Sequence, residues 1–172
     1  MTVAPDIADR AATLTQGGVR QILVVCTANQ CRSPMAEGLI RQRVAAAGSD
    51  GLVRVASAGT WAQDGMPATP TAVAVMAEQG IDIGPHRSRE VTAGMLADAD
   101  LILVMTRGHA ESLAVEFPEA AGRILLFSAL GGGAHDIADP VGLPAADYRR
   151  TAAELAGLVE RGWSRILGGV PA

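Results

Sequence analysis

The stretch Arg20-Gln-Ile-Leu-Val-Val-Cys26 is almost wholly apolar, and a polar turn from Thr27 to Arg32 separates it from a segment that opens as a helix. A strand with one wet face alternates apolar and polar residues. An unbroken apolar run of this length belongs instead to a strand covered on both faces, the habit of a parallel sheet. Ser33-Pro34-Met-Ala-Glu37 puts proline near the first helical position, where its missing N–H would have had no partner. Leu39, Ile40, Val44 and Ala47 carry one apolar face on to Gly48. Parallel strands need a crossover, so strand, tight loop and helix together restrict the chain to α/β architectures.

The unit recurs along the chain. Val53 to Ala58 alternates well enough for a second strand, and Pro70 to Gln79 reads as a helix capped by Thr69 and stopped by Gly80. Asp100 to Met105 is a third strand, followed by a helix to about Val115, and Arg123 to Phe127 is a fourth. A last helix is expected from Pro144 to Leu167, striped by Leu155, Leu158, Val159, Trp163, Ile166 and Leu167. The expected fold is a single α/β domain: a four-stranded parallel sheet with helices on both faces and a phosphate-binding loop after the first strand. Residues 1–18 are expected to form a flexible N-terminal extension and residues 19–172 the domain. Ligands of such sheets gather at the carboxyl ends of the strands, which selects the loop after Cys26.

Composition narrows the chemistry. All 14 basic residues are arginine, set against 18 acidic ones for a net charge of −4. Without lysine there is no P-loop NTPase lysine, no pyridoxal Schiff base and no lysine general base. Without a basic block, nucleic acid is not an expected partner. No apolar run approaches the roughly 20 residues of a membrane helix, so membrane insertion is not expected either. The N-terminus lacks the basic and long apolar parts of a secretory signal, and two cysteines make no secreted disulfide framework. A cytoplasmic location is the expectation. His86, His109 and His135 are scattered without a ligand-spaced pair, so no metal and no other cofactor is expected.

The loop itself reads Cys26-Thr27-Ala28-Asn29-Gln30-Cys31-Arg32-Ser33-Pro34. Curled between a strand end and a helix start, it can turn several backbone N–H groups inward at one spot, reinforced by the positive end of the helix. Arg32 can offer two parallel donors to a phosphate, and the same positive surroundings favour a thiolate at Cys26. Attack on phosphorus would give a phosphocysteine, with Ser33 donating its hydroxyl to the departing sulfur. An alkoxide or phenoxide leaves poorly unless protonated, and Asp139, held extended by Pro140 between the last strand and the final helix, is the candidate acid.

These residues resemble the low-molecular-weight protein tyrosine phosphatases, over roughly Arg20 to Leu167. Cys26, Cys31, Arg32, Ser33 and Pro34 match the family's Cys-x4-Cys-Arg-Ser/Thr-Pro signature, and Asp139-Pro140 matches its acid loop. Ser57 to Thr60, His86-x-Ser-Arg89 and Ala99 to Met105 match further segments. The resemblance implies metal-independent hydrolysis of phosphoproteins, chiefly phosphotyrosine, through a phosphocysteine, with phosphate or a similar oxyanion held in the active site. It implies that Asn29, Ser33, Ser57 and His86 form a hydrogen-bond network supporting the loop, with Asn29 left-handed, and that Trp61 walls the substrate cleft.

Val141 and Gly142 stand where tyrosine-specific members commonly carry aromatics, and Gln30 matches neither tyrosine nor arginine phosphatases. Thr106 replaces a common Asp after the third strand, which reads as a lost rim charge. A protein-arginine phosphatase on the same scaffold is therefore the alternative. A catalytically silent phosphate- or phosphoprotein-binding module would need neither the thiol nor Asp139. An arsenate reductase would need more cysteines than Cys26 and Cys31. Cys31, five positions from Cys26, is expected to capture an oxidised Cys26 as a reducible disulfide, making the enzyme redox-sensitive.

Overall fold

The computed structural model describes residues 18–168. The extension expected over residues 1–18 therefore lies, apart from Gly18, outside the described residues. Four strands, β1 (Arg20–Cys26), β2 (Val53–Gly59), β3 (Leu101–Val104) and β4 (Ile124–Leu126), form one sheet in the order β2-β1-β3-β4. All pairings are parallel, with Cys26 opposite Gly59 and Val25 opposite Val104. Helices α1 (Arg32–Ala46), α2 (Pro70–Ala77), α3 (Ala93–Asp98), α4 (Arg107–Glu116), α5 (Ala145–Arg161) and α6 (Trp163–Leu167) complete the described elements, with short 3-10 turns on either side of β4.

Alternation along β1 divides the core in two. Ile22, Val24 and Cys26 join the larger cluster with α1, α2, α5 and α6, whereas Leu23 and Val25 join the smaller one with α3 and α4. Both faces are covered, which is why β1 needs no polar residue between Ile22 and Cys26. From β1 the chain passes to β2 on one side and later to β3 on the other, so the connections diverge at the carboxyl end of β1. That is where a doubly wound sheet leaves a crevice for ligands.

Several boundaries differ from the sequence expectation. Helix α2 ends at Ala77, and the chain turns through Gly80 in a left-handed conformation (φ 72°). The short helix α3, capped by Thr92, has no counterpart in the sequence reading. The fourth strand is only three residues long. The expected single helix to Leu167 is broken at Gly162 into α5 and α6. A Cβ there would lie 2.5 Å from that of Leu130, so the close approach of Leu130 demands glycine and the chain reorients. The break sets Trp163 under the guanidinium of Arg43, 4.4 Å from the ring centre.

Candidate active site

Strand β1 delivers Cys26 to the sheet's carboxyl edge, and α1 starts at Arg32, leaving Thr27 to Cys31 as the loop. The polarity of that loop's backbone is its most telling feature. The carbonyl of Cys26 accepts from Thr60 N (2.9 Å), that of Thr27 from Trp61 N (3.0 Å) and that of Gln30 from Thr69 N (2.8 Å). The Asn29 carbonyl accepts from His86 Nε2 at 2.7 Å, which assigns the proton to that ring nitrogen. Among the described residues, none of the backbone N–H groups from Thr27 to Cys31 reaches a protein acceptor. No side chain caps α1, and its first turn holds no acidic residue. Carbonyls tied outward and amides left unbonded beside a helix N-terminus make a cradle for an anion.

Asn29 holds this shape. It is the sole non-glycine residue with positive φ (55°) among those described, and it is fully buried. Its Nδ2 donates to Ser33 Oγ (2.8 Å) and Ser57 Oγ (2.9 Å), and its Oδ1 accepts from Arg89 N (3.0 Å). Asparagine tolerates the left-handed region, and here every side-chain atom that could pair does so. Ser57 in turn donates to Glu37 Oε2 at 2.5 Å, and Glu37 is paired with Arg41 at 2.6 Å. Gly59 allows the loop to lie against β2, since a Cβ there would collide with the Thr27 carbonyl oxygen. The four residues grouped by resemblance, Asn29, Ser33, Ser57 and His86, are brought together.

Cys26 Sγ lies 3.0 Å from Ser33 Oγ. Ser33 accepts from Asn29, and its own hydrogen has two acceptors within reach, the Ala58 carbonyl at 3.5 Å and, at 3.0 Å, the sulfur when deprotonated. Arg32 is almost fully buried; its Nη1 donates to the Ile137 carbonyl (2.9 Å) and its Nη2 to Asp139 Oδ2 (3.0 Å). Asp139 also accepts from Val141 N (3.1 Å), a local turn that aims its carboxylate at the loop. The neighbouring Asp136 is engaged elsewhere, accepting from Arg107 N at the start of α4 (2.8 Å). Thr106, read from sequence as a lost rim charge, is the N-cap of α4, its Oγ1 accepting from His109 N.

The remaining sequence candidates fall around this centre. Ala28 is exposed and Gln30 half-buried, contributing backbone alone. Trp61 is 82% exposed, which excludes a core role, and its backbone N donates to the Thr27 carbonyl of the loop. Cys31 is buried, and both cysteines are free. Burial pushes the Cys31 thiol up to about 12; Asp139 and Cys26 add to the rise, and the Tyr148 hydroxyl and Arg32 oppose it.

Sequence reasoning missed Glu37, Tyr148 and His109, and saw Arg89 only as a motif letter. Glu37 carried one legible signal, its i,i+4 spacing to Arg41. Arg89 Nε donates to the Ser57 carbonyl (2.9 Å), a contact across 32 positions that no local pattern announces. His109 sits 2.8 Å from Thr27 Oγ1, across 82 positions, and its Nδ1 is buried without a partner.

Fold and site together define a doubly wound α/β protein with a thiol at the centre of an anion-binding loop, faced by an arginine and a carboxylate. The sequence profile of the low molecular weight phosphotyrosine protein phosphatase family matches residues 21–165. The chain belongs to that family. It is 42% identical over 122 residues to the probable low molecular weight protein-tyrosine-phosphatase EpsP of Ralstonia nicotianae, covering 71% of this chain and 79% of that protein. It is 37% identical over 142 residues to the protein-arginine-phosphatase of Geobacillus stearothermophilus, covering 82% and 92%. The crystal structure of the low molecular weight protein tyrosine phosphatase from T. tengcongensis superposes with a TM-score of 0.81 at 39% identity, over 85% of this chain and 99% of that one.

Proposed function

We propose that the protein hydrolyses phosphate monoesters on proteins, chiefly phosphotyrosine, without metal and through a phosphocysteine. The outward ties of four loop carbonyls around Cys26 carry this reading, since they leave the amides as donors for a phosphate's equatorial oxygens. The Cys26 thiolate attacks phosphorus as the phosphorus–oxygen bond to the leaving group breaks, and Asp139 gives its proton to the departing oxygen. Asp139 then takes a proton from water, which attacks the phosphocysteine and releases phosphate. The sulfur leaves as a thiolate accepting the Ser33 hydrogen.

Arg32 is paired with Asp139 at 3.0 Å. An arriving phosphate dianion takes over the guanidinium as a bidentate partner and leaves the carboxylate to face the leaving group. Trp61, Val141 and Leu143 are all exposed, the first beside the loop and the others just after Asp139-Pro140. They are apolar surface for the aromatic ring of a phosphotyrosine.

Phosphoarginine is the second reading. It is favoured by Val141 and Gly142 in place of aromatics and by the similarity to a protein named for that activity. A cytoplasmic setting suits two free thiols. A net charge of −4 with no basic block gives nucleic acid little to bind.

Turnover of an aryl phosphate without added metal, by wild type against Cys26→Ser and Arg32→Ala, tests the mechanism. Both variants are expected to lose nearly all activity while keeping their fold, and an active Cys26→Ser would refute it. Parallel assays on phosphotyrosine and phosphoarginine peptides assign the substrate.

A further inference from the structure

We infer that His109 is a positioning residue: through Thr27 it fixes the nucleophile end of the phosphate loop to the first turn of α4, which also holds the acid loop. The inference rests on the phosphatase reading and deepens it. Three contacts converge on that turn. His109 Nε2 lies 2.8 Å from Thr27 Oγ1, one residue after Cys26. Arg107 N donates to Asp136 Oδ1 (2.8 Å), three residues before Asp139, and the Arg107 guanidinium donates to the Ala134 carbonyl. Thr106 caps the helix by accepting from His109 N (3.2 Å). The turn from Thr106 to His109 thus bridges the loop of the nucleophile and the loop of the acid. Hydrolysis requires those two loops to keep register to within a fraction of an ångström.

The chemistry of the imidazole suits a fixed strut. His109 is 7% exposed, and its Nδ1 has no partner. A proton on Nδ1 would be a buried unsatisfied donor, so the favoured tautomer carries its hydrogen on Nε2 and donates to Thr27. Burial, followed by the charge of Arg32, lowers the imidazole to about 4 against weaker opposing pulls from Asp136 and Asp139, so it stays neutral at working pH. A neutral donor anchors the loop without adding a charge that would compete for the substrate's phosphate. The hydrogen bond of the His109 ring goes to the Thr27 side chain, and it is through Thr27 that it acts.

The test compares Thr27→Val, His109→Leu and His109→Gln, the last keeping an amide donor. Turnover of tyrosyl phosphate and affinity for inorganic phosphate are measured for each, alongside Cys26→Ser. Thr27→Val and His109→Leu are each expected to lose about tenfold in kcat/KM and in phosphate affinity, one hydrogen bond's worth. His109→Gln should recover most of both, and the Thr27→Val/His109→Leu double variant should be no worse than either single one. Additive losses, or a lowered Tm with both functional readouts unchanged, would overturn the inference and leave His109 a packing residue. If His109→Leu does not fold, Thr27→Val and His109→Gln decide. If wild type proves inert or Cys26→Ser stays active, the phosphatase reading falls, and the phosphate titration still judges the strut.

Discussion

On its β2 side the phosphate loop is tied through Asn29, whose side chain and carbonyl make four hydrogen bonds, to Ser33, Ser57, Arg89 and His86. On its β3 side the side-chain ties are fewer and of another kind: Thr27 meets the neutral His109, and Arg32 meets Asp139 and the Ile137 carbonyl. The β2 side is a saturated network of short polar side chains, buried around one left-handed residue. The β3 side contains an ion pair, Arg32 with Asp139, and a ring nitrogen with no partner. On the proposed mechanism the Arg32–Asp139 pair exchanges partners during turnover, so the contacts that change lie on the β3 side, apart from the network that holds the loop's shape.

The comparison breaks most visibly at Asn29. Asn29→Ala strands its partners and puts a Cβ residue without a compensating amide at φ 55°, for an expected loss of about 3 kcal/mol in urea unfolding. Its kcat/KM should fall about 100-fold as the amides lose their common focus. Retention of more than a tenth of the activity would show that the loop keeps its shape without the network.

Next in size is the acid. Asp139→Ala should cost about 100-fold on tyrosyl phosphate and far less on an activated nitrophenyl ester, because only the poor leaving group needs the proton. Asp136→Ala should instead lower Tm by a few degrees, about 1 kcal/mol, through its lost bond to Arg107 N, with equal small rate losses on both substrates. A leaving-group-dependent loss in Asp136→Ala would move the acid to that position.

The His109 ring gives a pH signature. Its folded value, about 4, lies below the unfolded 6.5, so the native state cannot take up the proton that the unfolded chain binds as pH falls between those values. Its contribution to stability is complete above pH 6.5 and is lost progressively down to about 4, with Arg32, Asp136 and Asp139 as the charges that tune it. Urea midpoints of wild type minus His109→Gln should slope across that window and be flat above it. A difference that is flat throughout would mean that His109 titrates as freely as in the unfolded chain.

The smallest effect concerns Cys31, buried at the end of the loop. Capture of a peroxide-oxidised Cys26 needs the Cys31 thiolate, and with its thiol pushed up to about 12 that form is scarce near neutrality. We propose slow capture that accelerates about tenfold per pH unit across neutral pH, followed by mass spectrometry of the intramolecular disulfide. A rate independent of pH would point to another proton acceptor beside Cys31.

The chain's own pattern was enough for the α/β class, the strand before Cys26, the helix after it and the anion-binding character of the loop between them. Each follows from residues within a few positions of one another: a double-faced apolar run, Pro34 at a helix start, a spacing from Cys26 to Arg32 that closes a tight loop. Asn29, Ser57 and His86 were legible together through their match to a family pattern, which records long-range contacts that a single segment does not. What the tertiary structure alone decided lies at long separation. His109 against Thr27 spans 82 positions, and Arg32 against the Ile137 carbonyl spans 105. The break at Gly162, imposed by Leu130, and the partners that Asp136 and Asp139 take, Arg107 N and Arg32, are likewise set by segments distant in the chain. Local propensity is written in neighbouring residues, but the partner of a buried polar atom is chosen by how the helices pack on the sheet. No periodicity along the chain encodes that choice.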